Sequence, residues 1–86
     1  MSYSVLWRDA AERKLLIALF RAANKPTMWA VVRSIDQRLQ SDPGSEGESR
    51  DDANRRILFV RPFCILFQIE ESSKTVVIEE LSWVGS

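Results

Sequence analysis

The sequence predicts a single α+β domain over residues 1–86, ordered β-α-α-β-β-β, with two antiparallel helices packed on one face of a small, mainly antiparallel sheet. Three observations carry this. Two apolar, β-prone runs, Ile57–Val60 and Phe63–Ile69, flank Arg61-Pro62, where proline removes a donor and turns the chain. Two upstream segments repeat apolar residues at the helical period, and a Val- and Ile-rich run, Thr75–Trp83, follows the hairpin. With 86 residues the chain exceeds the size at which disulfides or metal are usually needed, though its core is modest.

In chain order, Tyr3, Val5 and Trp7 alternate with Ser4 and Leu6 as a short strand. Asp9, with Glu12 three residues on, resembles a capping box. The helix it opens carries Leu15, Leu16, Leu19, Phe20 and Ala23, and Asn24-Lys25-Pro26 closes it. Thr27 is the expected cap of a second helix, whose stripe of Met28, Val31, Val32, Ile35 and Leu39 is expected to bury against Leu15, Leu16, Leu19 and the sheet. Ser41–Asn54 holds two glycines and a proline and reads as a long loop, entering a strand near Arg50. A loop of that length in a small domain is either mobile or functional. Glu70–Lys74 forms the turn before the last strand.

Composition narrows the chemistry. Twelve basic and twelve acidic residues cancel, which disfavours affinity built on neutralising many phosphates. Histidine is absent, so no imidazole can act as acid, base or metal ligand, and ordinary serine or cysteine triads are excluded. With one cysteine, Cys64, no internal disulfide forms and a structural zinc site is not expected. No cofactor, metal or membrane partner is expected, no apolar run approaches bilayer length, and the cytoplasm is the expected compartment.

The hairpin does not alternate apolar with polar, as a half-solvated antiparallel pair would. Phe63, Ile65, Phe67 and Ile69 share one side of their strand, with Cys64 and Leu66 opposite; Ile57 and Phe59 oppose Leu58 and Val60 in the preceding strand. If Ile57, Phe59, Ile65 and Phe67 face the helices, then Leu58, Val60, Cys64 and Leu66 form an outer apolar strip flanked by Arg56 and Gln68. A bulge near Arg61-Pro62 would swap one strand's faces. Such strips mark interaction sites, and the expected partner-binding set is Arg55, Arg61, Leu58, Val60, Cys64, Leu66, Gln68 and Trp83.

Element order and landmarks together resemble the RelE/ParE superfamily of toxins from type II toxin–antitoxin systems. The resemblance spans nearly the whole chain. It rests on Tyr3-Ser4-Val5-Leu6-Trp7 with Ala10-Ala11, Ile35-Asp36-Gln37-Arg38-Leu39 with Asp42-Pro43, Gly47-Glu48-Ser49-Arg50, and Arg55-Arg56-Ile57 before the aromatic hairpin strand. It implies helices covering one sheet face, a shallow functional surface on the other, and a cognate antitoxin that wraps the toxin. It implies growth inhibition, most commonly by ribosome-dependent mRNA cleavage; the alternatives are non-enzymatic inhibition of DNA gyrase and a degenerate member that only binds a partner. Cleavage by 2′-hydroxyl attack needs a base, a cation for the phosphorane and an acid. Where nuclease members carry a phosphate-holding arginine this chain has Cys64, and it ends Leu81-Ser82-Trp83-Val84-Gly85-Ser86 without the C-terminal Arg, His or Tyr they tend to have. The remaining catalytic candidates are Glu48 as base and Arg56 as phosphorane stabiliser, with Arg50 beside them. The same arginines also suit ion pairing with Asp51, Asp52, Glu70 and Glu79.

Overall fold

The computed structural model describes residues 2–50 and 54–85; Asp51 and Asp52 lie outside the described residues. The chain runs β1 (Ser4–Trp7), α1 (Asp9–Arg21), α2 (Lys25–Ser41), a 3₁₀ turn at Pro43–Ser45, β2 (Glu48–Ser49), β3 (Arg55–Val60), β4 (Phe63–Glu70), a 3₁₀ turn at Glu71–Ser73, and β5 (Thr75–Trp83). Strand order is β1-β5-β4-β3-β2, with β1 parallel to β5 and every other neighbour antiparallel. The predicted α+β architecture is the one observed; the parallel pairing of the first and last strands is an addition to it. No helix among the described residues is long and apolar enough to cross a membrane.

Helix starts differ from the sequence expectation. Asp9 is the first residue of α1 rather than its cap; Arg8 holds the cap position and makes no side-chain capping bond. The cap of α2 is Asn24, whose side chain accepts from the Thr27 N–H at 3.0 Å, with Pro26 in the first turn where a missing donor costs nothing. Lys25 donates to the Phe20 and Ala22 carbonyls and so closes α1 as it opens α2.

The core lies between the helices and one sheet face. Val32, Ile35 and Leu39 of α2 and Ala11, Leu15 and Leu19 of α1 pack against Phe63, Ile65, Phe67 and Ile69 of β4 and Val76, Ile78 and Leu81 of β5. Met28 and Val31 are only partly buried. Leu16, expected in the core, and Phe20, carried at the same helical spacing, point to solvent, Phe20 at 82% exposure. Tyr3 packs only partly and sends its hydroxyl to the Glu71 carboxylate at 3.0 Å.

Strand β3 presents the face opposite to the one expected. Val60 pairs with Phe63 and Leu58 with Ile65 across a two-residue loop, Arg61-Pro62. Paired residues share a face, so an even-numbered loop sets even positions of β3 beside odd positions of β4. With Phe63, Ile65 and Phe67 inward, Leu58 and Val60 must follow them, while Ile57 and Phe59 turn outward. Leu58 is 4% exposed and Phe59 62%. On the far side of β4, pairing slips between Leu66 and Phe67: Leu66 faces Glu80 and Phe67 faces Ile78, leaving Glu79 as the extra residue of a bulge.

Two stability predictions follow from this packing. Ile35 is fully buried, so Ile35→Ala should cost about 2–5 kcal/mol in denaturant unfolding, whereas Phe20→Ala should change stability by no more than about 0.5 kcal/mol. Asp36 on α2 has one carboxylate oxygen enclosed without a hydrogen-bond partner. Burial pushes its pKa up from 3.8, and a hydrogen bond from Trp7 opposes that shift. The folded chain thus holds this proton to higher pH than the unfolded chain, and stability falls as pH rises from 3.8 through the folded value. Asp36→Asn should raise the thermal midpoint at neutral pH, and its advantage should shrink below pH 3.8.

Candidate functional site

Two unlike surfaces lie on opposite sides of the sheet. The open face presents the outward residues of all five strands. One row across it runs Glu48–Ile57–Leu66–Glu80; the row toward the hairpin tip is Phe59–Cys64–Ser82. The next row of the same face joins Arg55 to Gln68, Gln68 to Val77, and Val77 to Leu6, while the Arg50 N–H donates to the Arg55 carbonyl. Ser49, Arg50, Arg55 and Leu66 border a shallow hollow of about 450 Å³.

Electrostatics on this face are largely internal. Glu79 takes Arg55 at 3.3 Å and Arg8 at 3.7 Å, so the bulge residue of β5 joins β3 and the cap of α1 in one ion-pair chain. Burial pushes the Cys64 thiol up, and the positive charge of Arg50 only partly counters it. A thiol held protonated beside Phe59 and Leu66 behaves as a small apolar side chain. Among the described residues, no three acidic or cysteine side chains converge as a metal site would require.

The sequence-predicted site divides. Glu48, Arg50, Arg55, Cys64, Leu66 and Gln68 share the open face. Arg56 does not join them: it pairs with buried Phe67 and points to the helix side. There its Nε donates to the Glu46 carbonyl at 2.7 Å and its terminal nitrogen to that of Gly47 at 3.0 Å. Arg38 of α2 holds the Glu46 carboxylate at 2.7 Å. Together the two arginines brace the loop that delivers β2 to the sheet edge. Gly47 sits at φ +66, and a Cβ there would overlap the Ile57 carbonyl, so only glycine passes this point without strain. Leu58 and Val60 leave the expected outer strip for the core side, and Ile57 and Phe59 replace them. Arg61 and Trp83 belong to the second surface.

That second surface is an open groove of about 940 Å³ between the helical hairpin and the end of the sheet. Ile17, Ala18, Met28, Val31 and Leu81 give it an apolar floor. Trp83 stands at its end, edge-on to Phe63 with ring centres 5.8 Å apart. Lys14, Arg21 and Arg61 rim it; among the described residues no carboxylate lines it and none of the three cations is ion-paired. Sequence reading missed the groove because its lining comes from four separate segments. One signal was present: Lys14, Ile17, Ala18 and Arg21 share a flank of α1 beside the buried stripe.

Two helices on one face of a five-stranded, mainly antiparallel sheet, with a parallel first-to-last strand pairing, define the fold class. The chain has the fold of the RelE/ParE toxins. The toxin–antitoxin complex RelBE2 from Mycobacterium tuberculosis superposes with a TM-score of 0.72 at 21% identity, covering 96% of this chain and 92% of that one. A chromosomal ParDE system from P. aeruginosa gives 0.66 at 17% identity, covering 98% of each chain. The isolated E. coli RelE toxin gives 0.71 at 10% identity, covering 99% of this chain and 87% of its own. No protein-family model matches the sequence, and no curated protein does either.

These placements are checked by three substitutions. Leu66→Asp should leave circular dichroism and the unfolding midpoint close to those of the parent, because its side chain faces outward. Leu58→Asp should prevent folding, since it buries an unpaired charge. Gly47→Ala should cost about 1–3 kcal/mol from backbone strain alone.

Proposed function

We propose that the chain is the toxin of a type II toxin–antitoxin pair, neutralised by a cognate antitoxin in the cytoplasm, and that it acts by binding a protein target rather than by cutting RNA. The toxin assignment is supported by superposition over nearly the full chain on proteins described as toxins or toxin–antitoxin complexes. The groove suits an antitoxin segment. A helix with an apolar face would bury against Ile17, Met28, Val31 and Trp83, and its flanking carboxylates would meet Lys14, Arg21 and Arg61.

The observation that carries the binding mechanism is the centre of the open face. Cys64 stands where the nuclease resemblance calls for a phosphate-holding arginine, and its neighbours are Phe59, Ser82 and Leu66. Arg56, the expected phosphorane stabiliser, is committed to two backbone carbonyls on the other side of the sheet. DNA gyrase is the target class that the ParE-like reading implies. Arg50 and Arg55 bordering one hollow favour the second reading, mRNA cleavage on the ribosome, with Glu48 at the same edge.

Induction in a bacterial host, with translation, mRNA integrity and the DNA-damage response followed in parallel, separates these. Growth should stop, mRNA should remain intact and the damage response should rise. Co-expression of the antitoxin from an adjacent gene should restore growth, and Ile17→Asp with Arg61→Glu should weaken that rescue at least tenfold in antitoxin affinity. Cleaved mRNA that becomes intact on Arg50→Ala would replace the binding mechanism with the nuclease one.

A further inference from the structure

Helix α1 carries a second apolar stripe, beside the buried one, that stays exposed. Leu16, Ile17 and Phe20 are 55%, 48% and 82% exposed, on the side turned away from buried Ala11, Leu15 and Leu19. Arg13 belongs to the same face. It is exposed and lies seven residues before Phe20, so the two side chains leave the helix within about 20° of one direction. Leu16 and Ile17 flank that line, one on each side.

Charge is divided along the helix. Asp9 and Glu12 occupy its first turn and Arg21 its last, with Lys25 just beyond. None of Asp9, Glu12, Arg13 or Arg21 makes an ion pair among the described residues. The face is complementary to itself in one orientation. Two copies of α1, packed antiparallel about a two-fold axis between Leu16 and Ile17, set each Arg13 over the Phe20 ring of the other copy, a cation–π pair made twice. Leu16 of one copy meets Ile17 of the other, again twice. The acidic first turn of each helix then lies alongside the basic last turn of the other, and the two helix dipoles oppose. A parallel pairing would bring like charges together at both ends. A foreign segment of one charge sign would suit one end of the face and be repelled at the other.

We propose that α1 is the contact of a two-fold pair of copies of this chain, formed while the groove is empty and released when it is filled. The link is Ile17 with Arg21, which line the groove and also border the exposed face. A segment seated in the groove covers Ile17 and neutralises Arg21, so pairing and groove binding compete for the same two side chains. A contact between two helices about 20 Å long is small for a protein interface, so the pair is weak and depends on concentration. The release step rests on the groove being the segment-binding site proposed above, whereas the pairing does not.

Sedimentation equilibrium of the purified protein should show a reversible monomer–dimer balance in the micromolar to millimolar range, weakening as salt is added. Phe20→Asp should make the protein monomeric with its circular dichroism spectrum unchanged, and Arg13→Ala should weaken the pair roughly fivefold. In a mixture of differently isotope-labelled copies, NOEs between copies should join Leu16 methyls to Ile17 methyls, where a parallel pair would join Leu16 to Leu16. A synthetic leucine-stripe helix flanked by glutamates, followed in the groove by the methyls of Met28 and Val31, should return the protein to monomer. A monomer at every concentration, a dimer indifferent to Phe20→Asp, or NOEs of the parallel kind would overturn the pairing. A peptide that perturbs Met28 and Val31 and leaves the dimer intact would overturn its release. A peptide that never reaches Met28 and Val31 would remove the release step together with the groove reading, with the pairing decided by sedimentation alone.

Discussion

The inward row of β4 is the constraint on which everything else depends. Phe63, Ile65 and Phe67 are completely buried and Ile69 almost so, and each neighbouring strand must adapt its register to that row. On one side the two-residue hairpin locks β3 to it, which sends Leu58 inward and Phe59 outward. On the other side β5 cannot match it with simple alternation, and the bulge absorbs the mismatch. The composition of the open face is thus a by-product of core packing. Moving the hairpin by one residue would exchange both faces of β3 at once.

The loop before β2 has a similar logic at smaller scale. Arg38 and Arg56 approach Glu46 from α2 and β3, one taking its carboxylate and the other its carbonyl. Gly47 lets the backbone pass against β3 where a side chain could not fit. An arginine that looks catalytic in the sequence is spent on architecture, and it is the reason Glu48 and Arg50 reach the sheet edge in a defined register. Residue type alone could not tell these roles apart, because a guanidinium serves a phosphate and a pair of carbonyls with the same donors.

The fold was largely legible because its signals were periodic. The α2 stripe led to Val32, Ile35 and Leu39 in the core, and the hairpin announced itself through Arg61-Pro62. What failed were choices that the pattern left degenerate. Every position from Ile57 to Val60 is apolar, so hydrophobicity could not say which half of β3 faces the helices; loop parity decided it. The capping signal at Asp9 was placed one residue late, and Asn24 rather than Thr27 caps α2. Leu16 and Phe20 show that an apolar side chain at helical spacing can still lie outside the buried arc. The bulge did leave a trace: Ile78 and Leu81, both apolar, sit an odd number of residues apart in one strand. The groove left little, since no local pattern reports a surface assembled from both helices, the hairpin tip and the end of β5.

The pairing of β1 with β5 ties the start of the chain to its last strand. Ser4 through Trp7 find their backbone partners in Thr75 through Ile78, and β5 also supplies Val76, Ile78 and Leu81 to the interior. Until β5 has been synthesised, β1 has no neighbour and β4 has a bare flank. A nascent chain ending before residue 75 cannot close its sheet, however long it waits on the ribosome. Either surface of the finished sheet therefore comes into being late and all at once.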